Sequence, residues 1–279
     1  MSTARNGDVE IYYETFGDGS APTLVLVNGL SSQCINYPVE WCELFAAEGY
    51  QVVRLDNRDV GLSSKLDGVE YGLSDMADDV VAVLDDLGVG AAHVLGMSLG
   101  GMIVQQLAID HPDRVLTLTS VMSRTGEPGF GEADPEALAL LLGPAATSRD
   151  EYIDQHVTAI GVYGSQREWI DDDVTRARAA AAYDRCFCPA GVGRQMQAVL
   201  RGTTRDDALR DVTVPALVLH GSRDRLVAPS GGQHTAEVLP NARYVEIEGM
   251  GHDYPRAVWP MWVEIWSTFV RESAVAAAG

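Results

Sequence analysis

Two rhythms of hydrophobic and polar positions alternate along this chain of 279 residues. Thr23-Leu24-Val25-Leu26-Val27 is an unbroken apolar run of β-formers, the pattern of a strand buried on both faces. Gln51 to Leu55, the run from Ala92, and Val115 to Val121 read as further strands. Val9 to Phe16 reads as an earlier strand, turned by Gly17-Asp18-Gly19. Between these runs the apolar spacing becomes helical: Trp41 to Ala47, Leu73 to Leu87 with Asp79, Asp85 and Asp86 on its opposite side, and Met102 to Ile109. Such β-α repetition predicts an α/β fold, a mostly parallel sheet with helices on both faces.

The alternation stops after Ser123. From Arg124 to about Asp206 the pattern is helical only: Asp134 to Leu142, Arg149 to Val162, Asp172 to Phe187 and Gly191 to Leu200, punctuated by Pro128, Gly143-Pro144, Gly164 and Pro189-Ala190-Gly191. Strand signals return at Ala216 to Leu219 and Ala242 to Ile247, and a Trp-rich amphipathic segment runs from Val258 to Val270. The expected organisation is a core of residues 1–123 and 206–279, interrupted by a helical cap, or lid, of residues 124–205. The alanine-rich tail from Ala274 is expected to fray.

Charge narrows the possible partners. The formal net charge is −20, which repels phosphate backbones and anionic membrane surfaces. No nucleic-acid partner and no membrane insertion are expected, since no apolar run approaches the ~20 residues a bilayer span needs. Met1 to Glu10 holds no apolar signal segment, so a cytoplasmic location is expected. Four cysteines, Cys34, Cys42, Cys186 and Cys188, are too few for a disulfide framework in a chain this long and read as small buried hydrophobes. Cys186-Phe187-Cys188 lacks zinc-ligand spacing, and no histidine–carboxylate cluster suggests a metal. These patterns assign no oligomeric state.

The chemistry is concentrated in Gly96-Met97-Ser98-Leu99-Gly100-Gly101, a G-x-S-x-G pattern between a strand and a helix. A sharp turn there strains the serine and brings neighbouring chains close, so side chains at positions 96 and 100 would clash. It lifts the Ser98 hydroxyl to a helix N-terminus, where amides favour a developing anion. A serine nucleophile needs a base, and the base an orienting acid. Of six histidines, His252 in Gly249-Met250-Gly251-His252-Asp253 directly follows the last strand and is the expected base. Asp224, in His220-Gly221-Ser222-Arg223-Asp224 after another strand, is the expected acid. Asp253 and Glu127 are its rivals, and the order Ser…Asp…His favours Asp224.

Asn28-Gly29 after a strand, Asp56-Asn57-Arg58-Asp59-Val60-Gly61-Leu62-Ser63, the Ser98 turn, and Asp224 with His252 together resemble the α/β-hydrolases over nearly the whole chain. Among them the chain is similar to bacterial carboxylesterases related to aclacinomycin methylesterase. The resemblance implies a helical cap inserted after the sixth strand, and an oxyanion hole made by the amides of Leu30 and Leu99. It also implies a structural role for Arg58. Asn28 stands where many members have histidine, leaving open whether it shapes the turn or touches substrate. Serine at the turn, where related epoxide hydrolases and dehalogenases place aspartate, points to attack on a carbonyl. The expected activity is cofactor-free hydrolysis of small to medium lipophilic esters, because Met97, Val227 and Met250 beside the site are apolar and are expected to touch substrate. Thioester, lactone or C–C bond hydrolysis, acyl transfer, perhydrolysis, and a ligand-binding module of the same fold are the alternatives.

Overall fold

The computed structural model describes residues 2–278, with side chains as far as Ala276. One sheet holds eight strands among the described residues: β1 (Ser2–Asn6), β2 (Val9–Phe16), β3 (Thr23–Val27), β4 (Gln51–Leu55), β5 (Ala92–Met97), β6 (Val115–Val121), β7 (Ala216–Gly221) and β8 (Ala242–Ile247). Their spatial order is β1-β2-β4-β3-β5-β6-β7-β8. The edge pair β1/β2 and the pair β2/β4 are antiparallel, and all other neighbours are parallel.

The continuous apolar runs have the expected cause. In β3, Val25 and Val27 face one apolar layer while Leu24 and Leu26 face the other; in β7, Val218 and Leu217 divide in the same way. Helices α2 (Leu73–Asp86) and α3 (Leu99–Asp110) cover the first face, with Val80, Val83, Ile103 and Leu107 wholly buried. Helices α1 (Val39–Ala47) and α10 (Trp259–Ala278) cover the second through Trp41, Phe45, Trp262 and Trp266. Trp41 and Trp262 meet edge to face at 6.1 Å, and Phe45 and Trp266 at 5.2 Å. Aromatic pairs in such arrangements add to the burial of their own area.

Between β6 and β7 the chain is helical, as the sequence pattern requires: α4 (Pro135–Leu141), α5 (Arg149–Tyr163), α6 (Asp172–Arg185) and α7 (Pro189–Arg201). Three elements were not foreseen. The strand β1, Ser-Thr-Ala-Arg-Asn, buries only Ala4 and carries no apolar alternation; pairing with β2 holds it. Helix α8 (Asp206–Leu209) is a single turn. Helix α9 (Pro229–Val238) contains Gly231-Gly232, which reads as a loop, but a Cβ at Gly232 would lie 2.4 Å from the His220 ring. The helix accepts poor formers there because close packing demands them. Helix α10 extends into the alanine-rich tail, to Ala278. Cys34 and Cys42 are buried as expected, whereas Cys186 and Cys188 flank the α6–α7 junction and are only half-buried. No helix among the described residues is long and apolar enough to cross a membrane.

Candidate active site

The parallel strands end at one edge of the sheet, and the residues singled out from sequence gather there. Ser98 closes β5 and caps α3 with φ 56° and ψ −117°, a left-handed conformation that serine adopts only under constraint. Four contacts impose it. A Cβ at Gly96 would lie 2.0 Å from the Gly100 oxygen, and one at Gly100 would lie 2.1 Å from the Val27 oxygen. The Ser98 amide donates to Val121 O at 2.8 Å, and Ser123 Oγ donates to Ser98 O at 2.8 Å. Gly29, beyond β3, lies against the serine, since a Cβ there would meet Ser98 Cβ at 3.3 Å and Oγ at 3.8 Å. The Ser98 side chain remains partly exposed.

His252 and Asp224 come together from two loops. His252 Nδ1 lies 2.7 Å from Asp224 Oδ2, and Asp224 Oδ1 accepts from the amides of Leu226 and Val227 at 2.9 Å each. The Asp224 carboxylate has no exposed surface. Burial raises its pKa, but the His252 charge and hydrogen bonds from His220 and His252 outweigh burial and hold it at about 2. The rival acids stand elsewhere. Asp253 Oδ1 accepts from the Ser165 amide at 2.9 Å and from Ser165 Oγ, and Glu127 makes no bond to His252. Four other histidines are engaged away from Ser98: His93 with Thr117, His111 with Asp78, His234 with Asp206, and His220 with Val227 O at 2.8 Å.

Leu30 follows Gly29, and Leu99 is the first residue of α3, so its amide has no acceptor within the helix. Asn28 is buried; its side-chain amide donates to Leu55 O at 3.3 Å and its carbonyl accepts from Asn57 at 2.9 Å, so it shapes the turn. Of the three apolar residues expected to touch substrate, Met97 and Val227 are buried and Met250 has no exposed surface at all. Met97 and Met250 pack into the apolar layer under α1 and α10.

The loop after β4 explains its own spelling. A Cβ at Gly61, where φ is 54°, would overlap the Asp56 carboxylate at 2.1 Å. Asp56 accepts from the amides of Cys34 at 2.6 Å and Leu62 at 2.8 Å and pairs with Arg185 of α6. Arg58 binds Asp79 through Nε and Nη2 at 2.6 and 2.7 Å, inside the protein.

Four residues that the sequence did not single out hold these loops in place. Gln195 of α7 accepts from the Ser31 amide at 3.1 Å and donates to Arg58 O at 2.8 Å. Arg185 meets Asp56, and His220 approaches Asp224 Oδ2 at 3.3 Å. Ser165, just beyond α5, accepts from the Gly251 amide at 3.0 Å. Around it, His252 N donates to Tyr163 O and Gln166 N to Gly249 O, each at 2.7 Å. Gly164 and Gly251 are packed so closely that a Cβ at position 251 would lie 2.2 Å from the Gly164 carbonyl. No local signal marks Gln195, Arg185 or Ser165, because their partners are far away in sequence, whereas His220 lies only four residues before Asp224.

Comparisons with known proteins agree with this architecture. Residues 22–254 match the model of the alpha/beta hydrolase fold family. The chain is 34% identical over 278 residues to rhodomycin D methylesterase DnrP of Streptomyces peucetius, covering 91% of this chain and 92% of that one. It is 31% identical over 247 residues to the putative carbamate hydrolase RutD of Caulobacter vibrioides, covering 88% and 89%. Among solved structures, Est816, described as an N-acyl homoserine lactone degrading enzyme, superposes with a TM-score of 0.78 at 28% identity, covering 96% of this chain and all of the other. A meta-cleavage product hydrolase from Pseudomonas fluorescens shares the fold, with a TM-score of 0.81 at 17% identity and 98% coverage of both. The resemblance to bacterial methylesterases drawn from the sequence is thus borne out, and the chain belongs to the alpha/beta hydrolase fold family.

Proposed function

We propose that this protein is a serine carboxylic-ester hydrolase that works through an acyl-enzyme. Support for ester hydrolysis comes from the methylesterase relative. Support for the serine mechanism comes chiefly from one observation: His252 is hydrogen-bonded through Nδ1 to a buried carboxylate, at the sheet edge where Ser98 sits in a strained turn. Because Asp224 accepts the hydrogen bond from Nδ1–H, Nε2 carries the lone pair that accepts the Ser98 proton. Ser98 Oγ then attacks the ester carbonyl, and the amides of Leu30 and Leu99 receive the oxyanion. Losing one such donor costs about 3–4 kcal/mol of transition-state stabilisation. His252 returns the proton to the leaving alcohol, and water repeats the cycle on the acyl-enzyme. Asp224 holds the imidazole in the useful tautomer and stabilises its cation.

In this reading residues 1–123 and 206–279 form the catalytic core and 124–205 a cap whose helices brace both the Ser31 turn and the His252 loop. The substrates are small to medium lipophilic esters, methyl esters foremost. A lactone is an internal ester open to the same attack, and the likeness to Est816 makes lactones the second class to assay. Turnover of a panel of methyl esters by wild type and by Ser98→Ala tests the reading. The variant should fold, lose several orders of magnitude in kcat, and escape labelling by a fluorophosphonate. Near wild-type turnover by Ser98→Ala would sink the mechanism.

A further inference from the structure

A small cavity opens beside the proposed oxyanion turn, between that turn and the inserted helices. Ser31, Ser32 and Asn36 line one side, and Tyr152 of α5, His156 of α5 and Arg178 of α6 the other. Its volume is about 30 Å³. One water needs about 10–15 Å³, so the space suits the polar end of a molecule and not a whole ligand.

Arg178 makes the lining unusual. Its helix neighbours are paired: Arg176 with Asp154 at 2.9 Å and Arg185 with Asp56 at 2.7 Å. Arg178 meets no carboxylate within ion-pairing distance among the described residues; it stands 5.9 Å from the Trp259 ring centre. Half-buried Arg124 and buried Arg205 likewise meet no acid, but both donate to other protein oxygens, whereas Arg178 makes no side-chain hydrogen bond among the described residues. Tyr152 and His156 stack on one another at 6.5 Å, and neither makes a side-chain hydrogen bond within the described residues. Burial, reinforced by Arg178, lowers the His156 pKa and keeps that ring uncharged. The Arg178 guanidinium, the Tyr152 and Ser31 hydroxyls and the His156 imidazole therefore line the cavity with no hydrogen-bond partner among the described residues, the arrangement that orients a ligand in an otherwise packed site.

We propose that this cavity receives a carboxylate at the far end of the acyl chain, with Arg178 as its counter-ion. The inference rests on the esterase reading and refines it: the preferred substrate is an ester whose apolar body ends in an acid. Position fixes the reach. Ser31 and Ser32 lie one and two residues past Leu30, which places them within about 4–8 Å of that donor along the chain. A linker of a few methylenes spans this distance. Bulk attraction cannot supply the preference, because the acidic surface repels anions; it must arise at Arg178.

Monomethyl succinate, glutarate and adipate are the probes, each set against the methyl ester in which a methyl group replaces the carboxylate. The readout is the ratio of kcat/KM for acid over neutral ester. In wild type at least one chain length should give a ratio of about ten or more, since charge-assisted hydrogen bonds to a carboxylate contribute about 1.5–3 kcal/mol. Arg178→Met should collapse that ratio at least tenfold, and Arg178→Lys should restore part of it. Free glutarate should inhibit neutral-ester turnover by wild type competitively. A wild-type ratio at or below one for every length, or the same ratio in Arg178→Met, overturns the proposal. If Arg178→Met does not fold, the wild-type ratios and glutarate inhibition still decide. Absence of turnover on the neutral esters as well would instead refute the esterase reading.

Discussion

Removing one hydroxyl outside the reacting groups should weaken the base. Ser165 is 4% exposed, and its Oγ accepts from the Gly251 amide at 3.0 Å while donating to Asp253. Ser165→Ala strands the Gly251 amide in a place where packing of Gly164 on Gly251 leaves little room for water. A buried donor left unpaired costs about 1–3 kcal/mol. Backbone bonds from His252 to Tyr163 and from Gln166 to Gly249 persist, so the loop should shift rather than detach. If the cost falls on the placement of His252, kcat drops by about 5- to 150-fold with KM little changed. A second readout separates positioning from mere stability. Burial raises the Asp253 carboxyl, and the Ser165 bonds pull it back. Losing the hydroxyl therefore keeps Asp253 neutral to higher pH and withdraws a negative charge that attracts the His252 cation, so the acid limb of the kcat–pH profile should move to lower pH. Ser165→Thr, which keeps a hydroxyl, should restore both. Steady-state kinetics on a neutral methyl ester from pH 5 to 9, with a melting curve for each variant, supply the data. A lowered Tm with unchanged kcat and unchanged pH profile would refute the reasoning and leave Ser165 a stabilising residue only.

Other outcomes follow from the same geometry. Asp224→Asn should reduce kcat by about 10⁴-fold through the wrong His252 tautomer, whereas Glu127→Gln should leave it within twofold; the reverse would reassign the acid. Acid unfolding should carry the mark of Asp224. Its pKa in the folded state is about 2, below the about 3.9 of an unfolded chain. Its contribution is therefore complete above the unfolded value and disappears as pH falls towards 2, a slope that stability curves of Asp224→Asn should lack.

The periodic parts of the fold were legible because their cause is local. Strand β3 matches its apolar run residue for residue, because a strand buried on both faces is largely apolar, and β4 keeps its expected bounds while burying Gln51 and Arg54 against Thr23, Glu14 and Tyr37. The Ser98 turn was legible for a related reason: the demand for no Cβ at positions 96 and 100 appears in the chain as glycine. What failed was whatever depends on distant contacts. Strand β1 owes its shape to β2, and α9 keeps two glycines because His220 and Arg124 press on them. Met250 looked like a pocket wall because it neighbours His252. Its side chain instead turns into the core, within the apolar layer under α1 and α10. Gln195, Ser165 and Arg178 carry no motif; each is defined by partners, or by the lack of them, across the fold.

Two imidazoles approach one carboxylate here, and their hydrogen bonds give them different roles. His220 Nε2 lies 2.8 Å from Val227 O, which can only accept, so His220 carries its proton on Nε2 and directs it between that carbonyl and Asp224 Oδ2. His220 Nδ1 is sealed against α9 without a partner. His252 is the opposite tautomer: its proton is on Nδ1, committed to Asp224, and its Nε2 lone pair is uncommitted. Of the two rings at Asp224, only His252 offers a lone pair that is not sealed in the interior. Asp224 thus serves as the shared acceptor that fixes both rings, and in the proposed mechanism His220 is a positioning residue that acts through it. Nitrogen-15 spectra of histidine-labelled protein at neutral pH should show one imidazole protonated at Nε2 that vanishes in His220→Gln, and one protonated at Nδ1 that vanishes in His252→Gln. Finding both rings protonated at Nε2 would break the chain of inference at its proton, because Asp224 would then have no donor on His252 to hold.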